Sequence, residues 1–97
     1  MAKYYKYHEI AGVLTYTVTD IEPQNGTDYQ LGELQGYVDG LIEIVPLTDG
    51  EIMVLNDEGL INDLPINPLA TAIFQQATGS PDYIFGNVVI CKETEVL

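Results

Sequence analysis

The chain has 97 residues, enough for one domain with one core. It carries 15 acids against 3 lysines and no arginine, a net charge of −12. That balance opposes direct contact with nucleic-acid phosphates and with anionic membrane surfaces. It favours a basic protein partner, because opposite fields steer association. The bland reading is solubility alone. Thirteen of the acids, all but Glu93 and Glu95, fall between Tyr7 and Cys91, where no lysine or arginine occurs. One cysteine, Cys91, excludes an internal disulfide and a cysteine-based zinc site, and reads as a buried core thiol suited to a reducing cytoplasm. No apolar run reaches the roughly 18 residues of a membrane span, and the start lacks a signal-peptide core.

The segment Tyr4-Tyr5-Lys6-Tyr7-His8 is aromatic and extended, and Ile10-Ala11-Gly12 turns it into the next run. Val13 to Ile21 reads as a strand, with Leu14, Tyr16 and Val18 on one face and Thr15, Thr17 and Thr19 on the other. Pro23 and Asn25-Gly26 end it. A short helix follows over about Leu31 to Asp39, with Leu31, Leu34 and Val38 at helical spacing. Gln30 with Glu33, or Thr27 with Gln30, is a candidate capping box, and Gly40 is the expected stop. Gly32, Gly36 and Gly40 recur every four residues. They suit either close packing on a sheet or a glycine face, with Gly36 its ligand-binding candidate, that lets a ligand or partner backbone approach.

The stretch Leu41 to Leu60 organises the middle of the chain. Two aliphatic runs flank Asp49-Gly50, a strong hairpin signal, and a further turn at Asn56-Asp57-Glu58-Gly59 leads to a short third strand at Leu60-Ile61. The expectation is a β-meander with one buried face. Asn67 then caps a second helix, with Pro68 in its first position, running to about Ala77 and stopped by Gly79. A last strand lies within Tyr83 to Lys92, with a bulge or turn at Gly86-Asn87, and residues 93–97 are expected to fray. Together these elements predict a single α+β domain over residues 1–97. It has a mostly antiparallel sheet (N-terminal strands, central meander, C-terminal strand) and two short helices.

Chemistry is sparse. Ser80 sits in a helix stop without a nucleophile elbow, and His8 reads as a surface strand residue. Asp49, Glu51, Asp57, Glu58 and Asp63 lack the calcium-loop spacing and read as turn and solvated-face residues. No catalytic residue, metal ligand or cofactor is assigned, although a carboxylate pair for acid–base work leaves no mark in a sequence. The one polar constellation is Asn56, Asn67 and Thr71. It would form a small pocket if the helix N-terminus lay beside the meander turn, with Asn56 as a turn residue and Asn67 as a cap the plainer reading. Candidate interface residues are Tyr4, Tyr5 and Tyr7 with the acids Asp49, Glu51, Asp57 and Glu58. The first and last strands read as sheet edges, so a weak two-fold dimer through Tyr5 and Tyr7 is expected.

The string Gly40-Leu41-Ile42-Glu43-Ile44-Val45-Pro46-Leu47, with Asp49-Gly50, Asn56-Asp57-Glu58-Gly59, Leu64-Pro65, Asn67-Pro68 and Ala70-Thr71, resembles the DUF-3846 family of small proteins. Thr17-Val18-Thr19-Asp20-Ile21-Glu22-Pro23 and Gly86-Asn87-Val88-Val89-Ile90-Cys91 extend the resemblance over about Val13 to Cys91. Gln30 and Gly32 depart from it, where similar sequences carry a Ser or Thr cap and a Glu. The resemblance implies no catalytic residue or ligand, only a setting: a phage, plasmid or integrated element, acting in a bacterial cytoplasm. Three functions follow as expectations. The first is a non-catalytic accessory protein binding a basic host protein, in its strongest form a nucleic-acid-mimicking decoy. The second is a binder of a small nucleotide-like ligand, and the third a small acid–base enzyme.

Overall fold

The computed structural model describes residues 2–58 and 62–96. Among the described residues five strands and two helices occur in the order β1 (Ala2–Ile10), β2 (Val13–Ile21), α1 (Leu31–Val38), β3 (Ile42–Pro46), β4 (Glu51–Asn56), α2 (Pro68–Thr78) and β5 (Val88–Lys92). A 3₁₀ turn at Glu93–Glu95 follows. The strands form one antiparallel sheet in the order β2-β1-β5-β4-β3.

Local chemistry explains the turns. Asp49 and Gly50 both take positive φ, 57° and 75°, and Glu51 N–H closes the turn on Thr48 C=O at 3.1 Å. Ala11 and Gly12, also at positive φ, join β1 to β2 with Ile10 opposite Val13. This two-residue primed turn matches the twist of its strands. Asn67 caps α2 by accepting Ala70 N–H, Pro68 opens the helix, and Gly79 ends it at φ 73°.

The first helix ends differently from the sequence expectation. Asp39, not Gly40, takes the left-handed C-terminal position, at φ 65°. No capping box forms either, since Gln30 makes no side-chain cap bond. Its side chain, longer than a Ser or Asp side chain, reaches Asp28 instead, while Glu33 accepts Gln24 N–H at 3.0 Å. Asn25 gathers the N–H groups of Thr27 and Asp28 and so shapes the approach to the helix.

The expected one-sided meander is corrected. β4 pairs with β3 on one side and with β5 on the other, while Leu60-Ile61 lie outside the described residues. β4 and β5 are buried on both faces. Ile52, Val54, Val89 and Cys91 pack with Leu34 and Val38 of α1, together with Ala2 and Tyr29. Met53, Leu55, Val88 and Ile90 pack with Ala70 of α2 and with Ile84. The helices therefore cover opposite faces of the sheet, and a strand buried on both sides has no reason to alternate apolar with polar residues.

Two further expectations change. β1 is interior, between β2 and β5, and β5 is central, so neither is an edge. Residues 93–96 are tied down: Tyr29 N–H donates to Glu95 C=O, Lys92 N–H donates to the Glu95 carboxylate, and Val96 bridges Tyr29 and packs on the first core.

Candidate functional site

The residues singled out from the sequence fall in three places. Asn67 and Thr71 serve the α2 face. Asn67 is fully buried; its amide donates to Tyr5 C=O at 3.2 Å and Gly86 C=O at 2.9 Å, and its oxygen accepts Ala70 N–H at 3.1 Å. Thr71 Oγ1 donates to Ile84 C=O and accepts Ile84 N–H. These bonds staple the start of α2 to β1 and to the segment before β5. Gly86 belongs to the same staple. It sits at φ 81°, donates to Pro65 C=O, and a Cβ there would lie 2.8 Å from Leu64 Cδ1.

Asn56 lies in register with Ile52 and Val54, on the α1 face. Its amide donates to Val38 C=O at 3.0 Å and its oxygen accepts Glu58 N–H at 2.7 Å. A Cβ on Gly40 would lie 2.8 Å from the Asn56 amide nitrogen, so glycine is what lets this amide reach the end of α1. The structure thus does not bring Asn56 to Asn67 and Thr71; they lie on opposite faces of the sheet.

The tyrosines divide in the same way. Tyr4 packs on the α1-side core, meets Tyr37 in a tilted ring contact at 4.7 Å between centroids and donates to Tyr37 C=O. Tyr5 packs on the α2-side core, and Tyr7 meets Tyr16 at 6.4 Å. Tyr4 and Tyr5 lie in a strand paired on both sides and cover core, not an open edge. Burial pushes the hydroxyls of Tyr4 and Tyr5 above the usual tyrosine pKa.

The four candidate acids separate to the two ends of β4. Asp49 and Glu51 lie at the hairpin turn, where Lys92 Nζ donates to Asp49 C=O. Asp57 and Glu58 follow the far end, about 20 Å away at strand rise. At that far end the structure holds a cleft of about 500 Å³. Glu43, Asp57 and Asp82 supply carboxylates, and Leu55, Pro81, Tyr83 and Phe85 supply apolar and aromatic walls. Tyr83 is 60% exposed. The three acids come from β3, the end of β4 and the loop before β5. Among the described residues no three His, Cys, Asp or Glu side chains are grouped to hold a metal ion, so these carboxylates are spread along the cleft.

A second, shallower groove of about 490 Å³ runs over α1, lined by Gln24, Gly32, Glu33, Gly36 and Tyr37. A Cβ added to Gly32 or Gly36 meets nothing within 4 Å, so these glycines are not there to pack the helix on the sheet. Gly36→Ala is expected to stabilise the fold by about 0.5–1 kcal/mol, the helix-propensity difference. Urea denaturation checks it, and a loss of stability would show that glycine is needed at position 36.

The model of the family described as Domain of unknown function (DUF3846) matches residues 12–96. The chain belongs to this family. The match spans most of the chain, from the β1–β2 turn to the residue that bridges Tyr29, so the whole sheet except β1 lies within it. Comparison with curated proteins and with solved structures finds no match. No described helix is long and apolar enough to cross a membrane.

Nothing in the sequence pattern pointed to Asp82, Tyr83 or Phe85. Their only local signal is the Pro81 that precedes an acid and an exposed aromatic.

Proposed function

We propose that this DUF3846 protein is a non-catalytic binding protein that takes a basic partner protein at the cleft beyond the end of β4. The observation that carries the reading is the mixed lining: Glu43, Asp57 and Asp82 beside Leu55, Tyr83 and Phe85 in a chain of charge −12. A lysine or arginine stem can bury against the apolar wall while its head meets the carboxylates. The open face of Tyr83 adds a cation–π contact, which suits arginine better than lysine. The field of the whole molecule steers such a partner in. In the finer form of this reading the partner is a bacterial host protein whose basic groove otherwise holds nucleic acid. The chain then acts as a decoy encoded by a phage or other mobile element; the acidity and the family resemblance support that form.

The test is capture from bacterial lysate at low and high salt. Wild type is expected to retain a basic protein at low salt and release it at high salt. The triple variant Glu43→Gln/Asp57→Asn/Asp82→Asn is expected to bind at least tenfold more weakly. Asp49→Asn/Glu51→Gln, at the other end of β4, should bind like wild type. Capture of no basic protein, or capture indifferent to salt, would retire the reading. Equal loss in both variants would move the contact from the cleft to general charge.

The open groove at Gly32 and Gly36 favours a second reading, a small-ligand binder. The negative field opposes phosphate ligands there. A thermal-shift screen with nucleotides decides it, since a ligand at 100 times its dissociation constant adds about 2.7 kcal/mol. A flat screen counts against it.

A further inference from the structure

The sheet has two edges, and they are built differently. β3 is five residues long, ends in Pro46, which has no N–H, and carries Glu43 beside the acidic cleft. Those are features that discourage strand pairing. β2 is nine residues long and contains no proline, lysine or arginine. It leaves Val13 61% exposed, Leu14 41% and Val18 45%.

The register shows which backbone groups of β2 face outward. Ile10 and Val13 close the two-residue turn, so the pairs Ile10–Val13, His8–Thr15, Lys6–Thr17, Tyr4–Thr19 and Ala2–Ile21 exchange hydrogen bonds. Tyr7 N–H, which must then point away from β2, does so and donates to Asn87. The N–H and C=O groups of Leu14, Tyr16, Val18 and Asp20 are therefore those on the free edge.

Charge selects the occupant. Residues 2–21 hold Lys3, Lys6, Glu9 and Asp20 and are balanced, and Lys3 bridges Asp20 at 2.7 Å. The charge of −12 thus lies on the rest of the chain. The β1–β2 hairpin is where a second copy can approach with least repulsion, and where a basic protein is least attracted.

We infer that β2 is a homodimer edge, pairing antiparallel with β2 of a second copy about a two-fold axis at Thr17, so that two five-stranded sheets become one. This register matches outward groups to outward groups: Tyr16 faces Val18 of the second copy, and Leu14 faces Asp20 of the second copy. On the other face Thr17 meets Thr17 of the second copy, Thr15 meets Thr19, and Val13 meets Ile21. Threonine pairs and aromatic with β-branched pairs are favourable cross-strand neighbours. A two-fold interface requires just this self-complementarity. The seat expected from the sequence, β1, is interior, so the proposed dimer is placed on β2 instead. It is independent of the acidic cleft.

The register makes the inference testable. At a non-hydrogen-bonded pair the Cα atoms lie about 4.5 Å apart, within disulfide range. Thr17→Cys should therefore cross-link to itself under copper–phenanthroline oxidation, at least tenfold faster than Thr15→Cys, whose opposite number is Thr19. Wild type, with its Cys91 buried, is the blank. Sedimentation should show mass doubling at millimolar protein, increasing with salt as the net charges are screened. Two variants should remain monomeric: Val18→Pro, which deletes an outward N–H, and Thr17→Lys, which sets two like charges face to face. A wild type that stays monomeric in high salt overturns the inference. So does a Thr17→Lys dimer, or a Thr15→Cys cross-link as fast as that of Thr17→Cys.

Discussion

Asn67→Ala is expected to lower the unfolding free energy by about 3–5 kcal/mol, an unusually large loss for a single polar residue. The cap on Ala70 N–H accounts for about 1 kcal/mol. The carbonyls of Tyr5 and Gly86, deprived of the Asn67 amide, add about 1–2 kcal/mol each where water cannot replace it. The bond from Asn67 N–H to Ile84 C=O is backbone and survives. Asn67→Asp separates the contributions. The carboxylate keeps the cap acceptor but, ionised, gives the two carbonyls nothing and places a charge beside them in a buried site. Its pKa in the folded protein is therefore expected to lie above the unfolded value of about 3.9. The penalty is relieved below that unfolded value and grows as pH rises through the folded one. Urea midpoints at pH 4 and pH 7 check this: the gap between Asn67→Asp and wild type should narrow in acid. A loss under 1 kcal/mol for Asn67→Ala would mean that the start of α2 is held by packing alone.

Alkaline pH is expected to destabilise the fold well before any backbone damage. Burial pushes the Cys91 thiol from 9.0 up to about 11, with the Glu95 carboxylate adding to it. Burial likewise raises the Tyr29 hydroxyl far above its ordinary value, again with Glu95 second. Both groups are neutral when protonated and hold their protons more tightly in the folded chain. Their contribution is whole below about pH 9 and is lost as pH rises through the folded values. Cys91 alone accounts for about 2 kcal/mol by pH 11. Tyr29 adds a loss of the same sign above pH 10. Cys91→Ala should flatten the stability curve between pH 9 and 11, apart from a pH-independent cavity cost. Tyr29→Phe should flatten it above pH 10. At neutral pH Tyr29→Phe should be close to neutral, because the buried hydroxyl has no hydrogen-bond partner among the described residues to lose. A urea midpoint that is level from pH 8 to 11 would contradict the burial of both groups.

The two unusual pKa values belong to the first core, where the tail returns. From the sequence, residues 93–97 look like a polar end with nothing to hold it. Residues 93–96 are held by contacts that include a strand-like bridge between Val96 and Tyr29, whose two sides are nearly seventy residues apart, the Glu95 bonds beside it, and Glu93 N–H donating to Gly50 C=O. A contact of that kind leaves no local pattern on either side. The cleft was hidden for the same reason. Glu43, Asp57 and Asp82 stand on three separate elements, and each alone reads as a solvated acid.

The amino-acid sequence by itself determined what depends on near neighbours. Asp49-Gly50 takes the positive φ angles of a primed turn, Asn67-Pro68 starts a helix that Gly79 ends, and the alternation of Val13 to Ile21 makes a strand. Composition alone also set the charge and its emptiness of arginine. Only the tertiary structure decided the strand order. β5 enters between β1 and β4, and that insertion makes β1 interior, buries β4 on both faces and leaves β2 as the long free edge. The same arrangement put Asn56 and Asn67 on opposite faces, where each satisfies distant carbonyls instead of sharing a pocket. The physical reason is the range of the forces. Turn and cap preferences act within about four residues and can be read locally. The choice of a strand's partner is made by the packing of two hydrophobic faces across the whole chain, and a strand of valines and isoleucines is compatible with several partners until that packing selects one.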